Sequence, residues 1–411
     1  MSVTSGEDGH VISVAEHRAA ITNLLGSRPA GELPLADCAG LVLAADVKAE
    51  VSLPPFDNSA MDGYAVRACD VAAANPEDHV SLPVSADIPA GRTDVPPLLP
   101  GTAHRIMTGA PLPDGADTIV KVEDTDGGTD TVQIRAAAAP GAHLRHTGED
   151  IEQGATPLRA GIVLGPAALG LAAAIGLDTL TVHTPPRVLV VSTGTELVLP
   201  PAPLRFGQIY ESNSVMLAAS LRALGCQVRM VRSLADDVDT FRATIEPELA
   251  DADLLITSGG VSAGAYEVVK DALGDVGVRF GKVAMQPGGP QGWGSYHGVP
   301  VVTLPGNPVS VLVSYEAFLR PALLASLGYR DVDRPHTRAA LTESLRSPAG
   351  KRQFRRGYYT PREGRVTGVV GPRGGPGSHL LAAFTEANCL IVLPEDVTDV
   401  AEGDEVDVTL L

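Results

Sequence analysis

The sequence predicts a multidomain α/β plus β protein: a helical domain interrupted by an inserted β-rich module, a three-layer α/β domain, and a small C-terminal β-barrel-like domain. Three textures in the chain carry this expectation. From Pro186 onward, continuous β-branched runs such as RVLVVST, DLLITS and VPVVTL alternate with amphipathic stretches, the pattern of a parallel sheet covered on both faces by helices. Between Val47 and about residue 147 the chain is dense in proline and glycine, with short alternating runs such as TIVKVE and TVQIR that read as hairpins. After Pro335 the alternating runs and Gly/Pro turns return and end in EVDVTLL, a small all-β unit.

Taken in order, residues 11–46 read as helical. Ser13 is an N-cap and Glu16, three positions on, completes a capping box, a reciprocal arrangement that satisfies two orphan backbone donors. A second helical stretch is expected after Pro34. Residues 47–147 form the inserted module, and 148–182 return to helix through GPAALGLAAAIGL, so that 11–46 and 148–182 are expected to close one domain around the insertion. Residues 183–330 hold the α/β alternation, and 335–411 the β domain.

Composition narrows the function. With 31 Lys+Arg against 49 Asp+Glu, the formal net charge is −18. Non-specific attraction to nucleic-acid backbones or anionic membranes is therefore disfavoured, and an anionic ligand must meet local cations or backbone N–H groups. The four cysteines, Cys38, Cys69, Cys226 and Cys389, make no CxxC pair, which argues against zinc ribbons and disulfide frameworks and fits a reducing cytoplasm. The polar start MSVTSGEDGH has no basic-then-apolar signal pattern.

In open parallel sheets, ligands bind beyond the carboxyl ends of the strands. Three such ends are unusual here: STGTE (Ser192–Glu196), TSGGVSAG (Thr257–Gly264) and LPGNPVS (Leu304–Ser310). Thr193, Gly194, Gly259, Gly260 and Ser262 offer close backbone approach and hydroxyls. Asn307 followed by Pro308 reads as an N-cap with proline at the first helical position. Glu196, Asp236 and Glu267 lie near these ends and suit magnesium, which takes oxygen donors alongside substrate phosphates; a helix-capping duty is the plainer reading for Asp236. Elsewhere, FDNSAMDGY gathers Asp57, Asn58, Ser59 and Asp62 around a turn, RIMTGAP and HLRHTGEDI share its polar look, and KRQFRRG concentrates cations in an acidic chain. There is neither a GxxxxGK[ST] loop nor a GxGxxG fingerprint.

FDNSAMDGYAVR, RIMTGAP, GEDI, STGTEL, SGGVS, LPGNPVS and the late GSH at Gly377–His379 together resemble the molybdopterin molybdenumtransferase family, which includes the gephyrin E domain. The likeness runs in matching order from about residue 12 to the end. It implies that residues 183–330 bind molybdopterin, that the chain is a homodimer, and that it inserts molybdate into adenylylated molybdopterin with magnesium, releasing AMP; a non-catalytic molybdopterin carrier is the alternative. It also implies a polar active-site set of Asp62, Thr108, Asp150, Glu196 and Asp236, a pterin rim shaped by Pro305 and Pro308, and Arg356 and Ser378 reaching toward molybdate. Where the family commonly has KPGKP this chain has QPGGP, so Gln286 and Gly289 replace two lysines, while Lys282 is retained upstream.

Overall fold

A computed structural model describes residues 11–260, 268–364 and 367–411. The chain forms two compact units: residues 32–181 make one, and the segments on either side make the other.

In the larger unit a seven-stranded sheet runs in the order Val11–Ile12, Val278–Val283, Pro290–Tyr296, Val299–Leu304, Leu254–Ser258, Arg187–Thr193, Gln227–Leu234. Arg187–Thr193 is parallel to both of its neighbours, and Leu254–Ser258 is parallel to Val299–Leu304. The expected all-parallel sheet is thus corrected in one place. Pro290–Tyr296, which follows the QPGG run and is itself rich in glycine, is a strand antiparallel to both of its neighbours. Its glycines permit close packing: a Cβ on Gly292 would lie 2.3 Å from Thr303 Oγ1, and one on Gly294 would lie 2.1 Å from the Gly277 carbonyl oxygen.

Both faces are covered. On one, Val188, Val190, Leu254, Ile256 and Val302 pack against Ile21, Leu217, Leu221 and Phe318. On the other, Leu189, Val191, Leu255 and Val301 meet Phe241, Ile245 and Leu249. Those last three recur every fourth residue along the helix Val238–Leu249, so they form one stripe whose burial stabilises by about 1.5–3 kcal/mol per large side chain. The helix Val14–Leu25 carries the expected capping box between Ser13 and Glu16. The helical run Pro308–Ser326 is long and apolar enough to cross a membrane, yet it is mostly buried, with Val309, Val311, Val313 and Phe318 in the core.

The C-terminal β domain belongs to the same unit. Arg352–Thr360, Gly368–Pro372, His336–Leu341, Glu405–Leu410 and Cys389–Leu393 follow one another, and the last pairs back onto the first, closing a five-stranded barrel. Ala339, Leu341, Val370, Ile391 and Val408 fill it. Met285–Gln286 adds to the rim of this barrel, Gln286 opposite Gln353.

In the smaller unit, Thr118–Lys121, Gly63–Val66, Ala103–Ile106, Val80–Ile88 and Thr131–Ile134 form the five-stranded sheet of the inserted module. The segments leading in and out run side by side through the bridges Val42–Val163, Val47–Leu158 and Leu53–Ile151. Beyond them the helix Pro166–Ala174 forms as expected. The helical stretch expected after Pro34 is a single 3₁₀ turn, Leu35–Asp37; Gly40, with φ +78°, then turns the chain away in a conformation that favours glycine.

Candidate active site

In the smaller unit, two aspartates of FDNSAMDGY each grip a threonine from another motif. Asp62 Oδ1 accepts from the Thr108 N–H at 2.6 Å and from its hydroxyl at 2.9 Å. Asp57 Oδ1 accepts from the Thr147 N–H at 2.7 Å and from its hydroxyl at 2.8 Å. This explains why FDNSAMDGY, RIMTGAP and RHTGED occur together: each clamp joins two of them. The Thr108 N–H, then its hydroxyl, then the charge of Arg105 hold the Asp62 carboxyl below its ordinary range, because each favours the ionised form. Thr147 and His146 do the same for Asp57. Asp62, Thr108 and Asp150 are exposed. Ser59 is fully buried, and its hydroxyl donates to the Met61 carbonyl at 2.6 Å, so it shapes the turn from within.

In the larger unit the three strand ends converge. A Cβ on Gly259 would lie 2.7 Å from the Thr193 carbonyl oxygen, one on Gly260 would lie 3.2 Å from Thr193 Oγ1, and one on Gly306 would lie 3.6 Å from Gly259 Cα. The Gly259 N–H donates to the Leu304 carbonyl at 3.2 Å. Between these turns the Thr193 hydroxyl is buried and finds no protein partner among the described residues, and the same holds for the Thr257 and Thr303 hydroxyls. A buried hydroxyl left unpaired costs about 1–3 kcal/mol, which a bound ligand or water can recover.

Asp236 does not cap the helix that follows it. Asp237 does, accepting from the Thr240 N–H at 2.7 Å, and Asp236 Oδ2 instead accepts from the Thr195 N–H at 3.1 Å. That single bond places the Asp236 carboxylate on the STGTE turn, one residue from Glu196. The turn itself is shaped by an irregularity between Val191 and Thr193 in the pairing with Gln227–Leu234 and by Ser233 at φ +58°, a conformation uncommon outside glycine. Among the described residues, no group of three His, Cys, Asp or Glu side chains could hold a metal. Ser262 and Glu267 lie outside the described residues.

Pro305 is buried, and Asn307 holds the N-cap position with Pro308 at the first helical position, although the Asn307 side chain makes no capping bond. The Val309 N–H donates to the Ser378 carbonyl at 3.0 Å, so the GSH segment sits on this helix start. Arg356 is 3% exposed, and its guanidinium donates to the carbonyls of Arg373 (3.4 Å), Gly377 (3.2 Å) and Gly375. Burial lowers the pKa of both Arg355 and Arg356. Arg356 thus holds the loop that presents Ser378. Lys282 is exposed at the end of its strand, beside Val11 and Pro290. Gln286 Oε1 accepts from Gln353 Nε2 at 2.8 Å, which ties the QPGGP turn to the barrel.

One residue outside the sequence-based set belongs with this cluster. Asn213 Nδ2 donates to Ser258 Oγ at 2.8 Å and to the Gly306 carbonyl at 2.6 Å. From the sequence it is only one of two possible caps in SNS; its side chain reaches across to two other strand ends.

Residues 12–176 match the MoeA N-terminal region (domain I and II), residues 189–325 a probable molybdopterin binding domain, and residues 338–411 the MoeA C-terminal region (domain IV). The chain belongs to the MoeA family. Among MoeA relatives, Molybdopterin molybdenumtransferase 2 of Mycobacterium tuberculosis is 54% identical over 403 residues, covering 96% of this chain and 98% of that protein. The Haemophilus influenzae Molybdopterin molybdenumtransferase is 35% identical, covering 92% of each. A solved structure of the molybdopterin biosynthesis MoeA protein from Pyrococcus horikoshii superposes with TM-score 0.82 at 32% identity, over 98% of this chain and 99% of that one. The three converging turns fall within the matched molybdopterin-binding region, the Asp62–Thr108 clamp within the MoeA N-terminal region, and Arg356 and Ser378 within the MoeA C-terminal region.

Proposed function

We propose that this MoeA-family chain is a transferase of molybdenum cofactor biosynthesis that inserts molybdate into adenylylated molybdopterin and releases AMP. The observation that carries the reading is the Thr193 hydroxyl, buried between three glycine turns and without a partner among the described residues. Such a hydroxyl, with backbone unobstructed by side chains around it, suits a polar planar ligand with a phosphate tail. Asp236 and Glu196 would hold magnesium: both are oxygen donors, and this ion commonly takes one or two carboxylates together with substrate phosphates. When bound, the ion would neutralise charge on the phosphoanhydride that joins AMP to molybdopterin. Asp236 is kept on the turn by the Thr195 N–H, and Arg356 keeps Ser378 at the start of the helix behind Asn307 and Pro308. The dithiolene sulfurs of the substrate bind molybdenum themselves, so the protein positions rather than attacks. The relatives named above are molybdenumtransferases, which favours the catalytic reading over the carrier.

We also propose that the chain works in the cytoplasm as a homodimer, the inserted module of one subunit completing the site of the other. Incubation with adenylylated molybdopterin, magnesium and molybdate tests the reaction: AMP release with formation of active cofactor is expected, and neither would appear if the reading is wrong. Asp236→Asn and Glu196→Gln should each raise the magnesium concentration needed for half-maximal AMP release. An unchanged magnesium dependence removes these residues from the ion site. Sedimentation velocity showing only monomer at working concentration would reject the dimer.

A further inference from the structure

We infer that Asn213 is a positioning residue for this reaction, setting the gap between the SGG and PGN turns that face the pterin; the inference rests on the function proposed above. The amide of Asn213 has two hydrogens, and each goes to a different strand end: Ser258 Oγ at 2.8 Å and the Gly306 carbonyl at 2.6 Å. These two acceptors sit at the ends of neighbouring parallel strands, Leu254–Ser258 and Val299–Leu304. The turns touch without side chains between them, a Cβ on Gly306 falling 3.6 Å from Gly259 Cα. Hardly any other side chain offers two donors in a fixed planar fork with so short a stem. Aspartate has the same shape and, when ionised, no donor at all.

The helix that carries Asn213 does not depend on it. Asn213–Arg222 is anchored by Leu217, Ala218 and Leu221, all fully buried. Its first turn is held separately by Glu211, which accepts from the Ser214 N–H at 2.8 Å and from its hydroxyl at 2.5 Å. Removing the Asn213 amide therefore takes away the side-chain bridge between the two turns, while the Gly259 N–H to Leu304 carbonyl bond and the helix itself stay in place.

The test compares wild type, Asn213→Ala and Asn213→Asp in AMP release from adenylylated molybdopterin with magnesium and molybdate, with thermal melting alongside. The alanine variant is expected to raise KM roughly ten- to thirtyfold, as binding must now supply the ordering that two neutral hydrogen bonds gave, with kcat nearly unchanged and the melting temperature lowered by only a few degrees. The aspartate variant should show the same defect at pH 7.5 and recover part of it toward pH 5, because a protonated carboxyl regains one donor for Gly306; wild type should show no such recovery. A wild-type protein that releases no AMP refutes the reaction itself, and this assignment with it. A working wild type whose KM is unaffected by Asn213→Ala refutes the assignment alone. If the alanine variant does not fold, the pH profile of the aspartate variant decides, and a loss of folding in both overturns a positioning role in favour of a structural one.

Discussion

Gly259→Ala separates the geometry of the candidate site from the ordinary cost of losing a glycine. Gly259 has φ +98°, and an added Cβ would stand 2.7 Å from the Thr193 carbonyl oxygen and 3.3 Å from its hydroxyl. Alanine in this left-handed region costs about 1 kcal/mol or somewhat more. The clash adds about 1–3 kcal/mol, since the turn or Thr193 must shift to relieve it. Gly298→Ala is the control. It lies in the same unit at φ +81°, with nothing within 4 Å of its added Cβ, so only the backbone cost remains. Trp293, the single tryptophan, is on the strand Pro290–Tyr296, and its fluorescence through a urea titration reports unfolding of this unit. Gly259→Ala should lose about 2–4 kcal/mol and AMP release with it, against about 1 kcal/mol and full activity for Gly298→Ala. Equal midpoints and equal activities for the two variants would refute the claim that Thr193, Gly259 and Gly306 are held together by the absence of side chains.

Three further outcomes follow from the same structure. Thr108→Val removes one of the two donors that hold the Asp62 carboxyl low. The depressed pKa means stability that is present above the ordinary carboxylate range and is lost as pH falls through the folded value, so the variant's Asp62 should titrate higher by carboxyl NMR; an unmoved titration would show that the Thr108 hydroxyl does not help to hold it low. Asp237→Ala should lower the melting temperature with AMP release intact, since alanine cannot accept the Thr240 N–H, whereas Asp236→Asn should leave melting nearly unchanged and weaken AMP release at limiting magnesium; activity lost in the first variant and kept in the second would reverse the roles given to these neighbours. Gly289→Lys restores a cation where an added Cβ meets only ordinary contacts, the nearest at 3.4 Å, and should fold normally while tightening ligand binding. Gln286→Lys forfeits the Gln353 partner and should lower the melting temperature, and equal melting for the two lysine variants would mean that the amide pair contributes nothing.

The α/β alternation and the small β domain were legible because their apolar periods are long and their turns carry glycine or proline. The capping box at Ser13 and Glu16 was legible for a local reason: its partners are three residues apart. What could not be read was non-local. Pro290–Tyr296 looks like a loop because its glycines answer to Thr303 and Gly277 on neighbouring strands, and those pairings leave no periodic trace in the stretch itself. The role of Asp236 turned on which of two adjacent aspartates faces Thr240, a matter of backbone direction. Asp62 and Thr108 stood out as polar residues in suggestive motifs, yet their clamp spans 46 positions, and only the folded sheet brings them together. Asn213 was masked by the ordinary frequency of Asn and Ser at helix starts. Arg356 was visible as a cation, but not the three carbonyls that absorb its donors.

The joint between the sheet and the barrel at Gln286 and Gln353 includes two uncharged amides 2.8 Å apart. Dissolved ions shorten the reach of charges and leave a neutral contact largely untouched. Raising the ionic strength should therefore weaken the capture of an anionic substrate while this joint keeps its grip, so that salt acts on what enters the site and not on the wall that frames it.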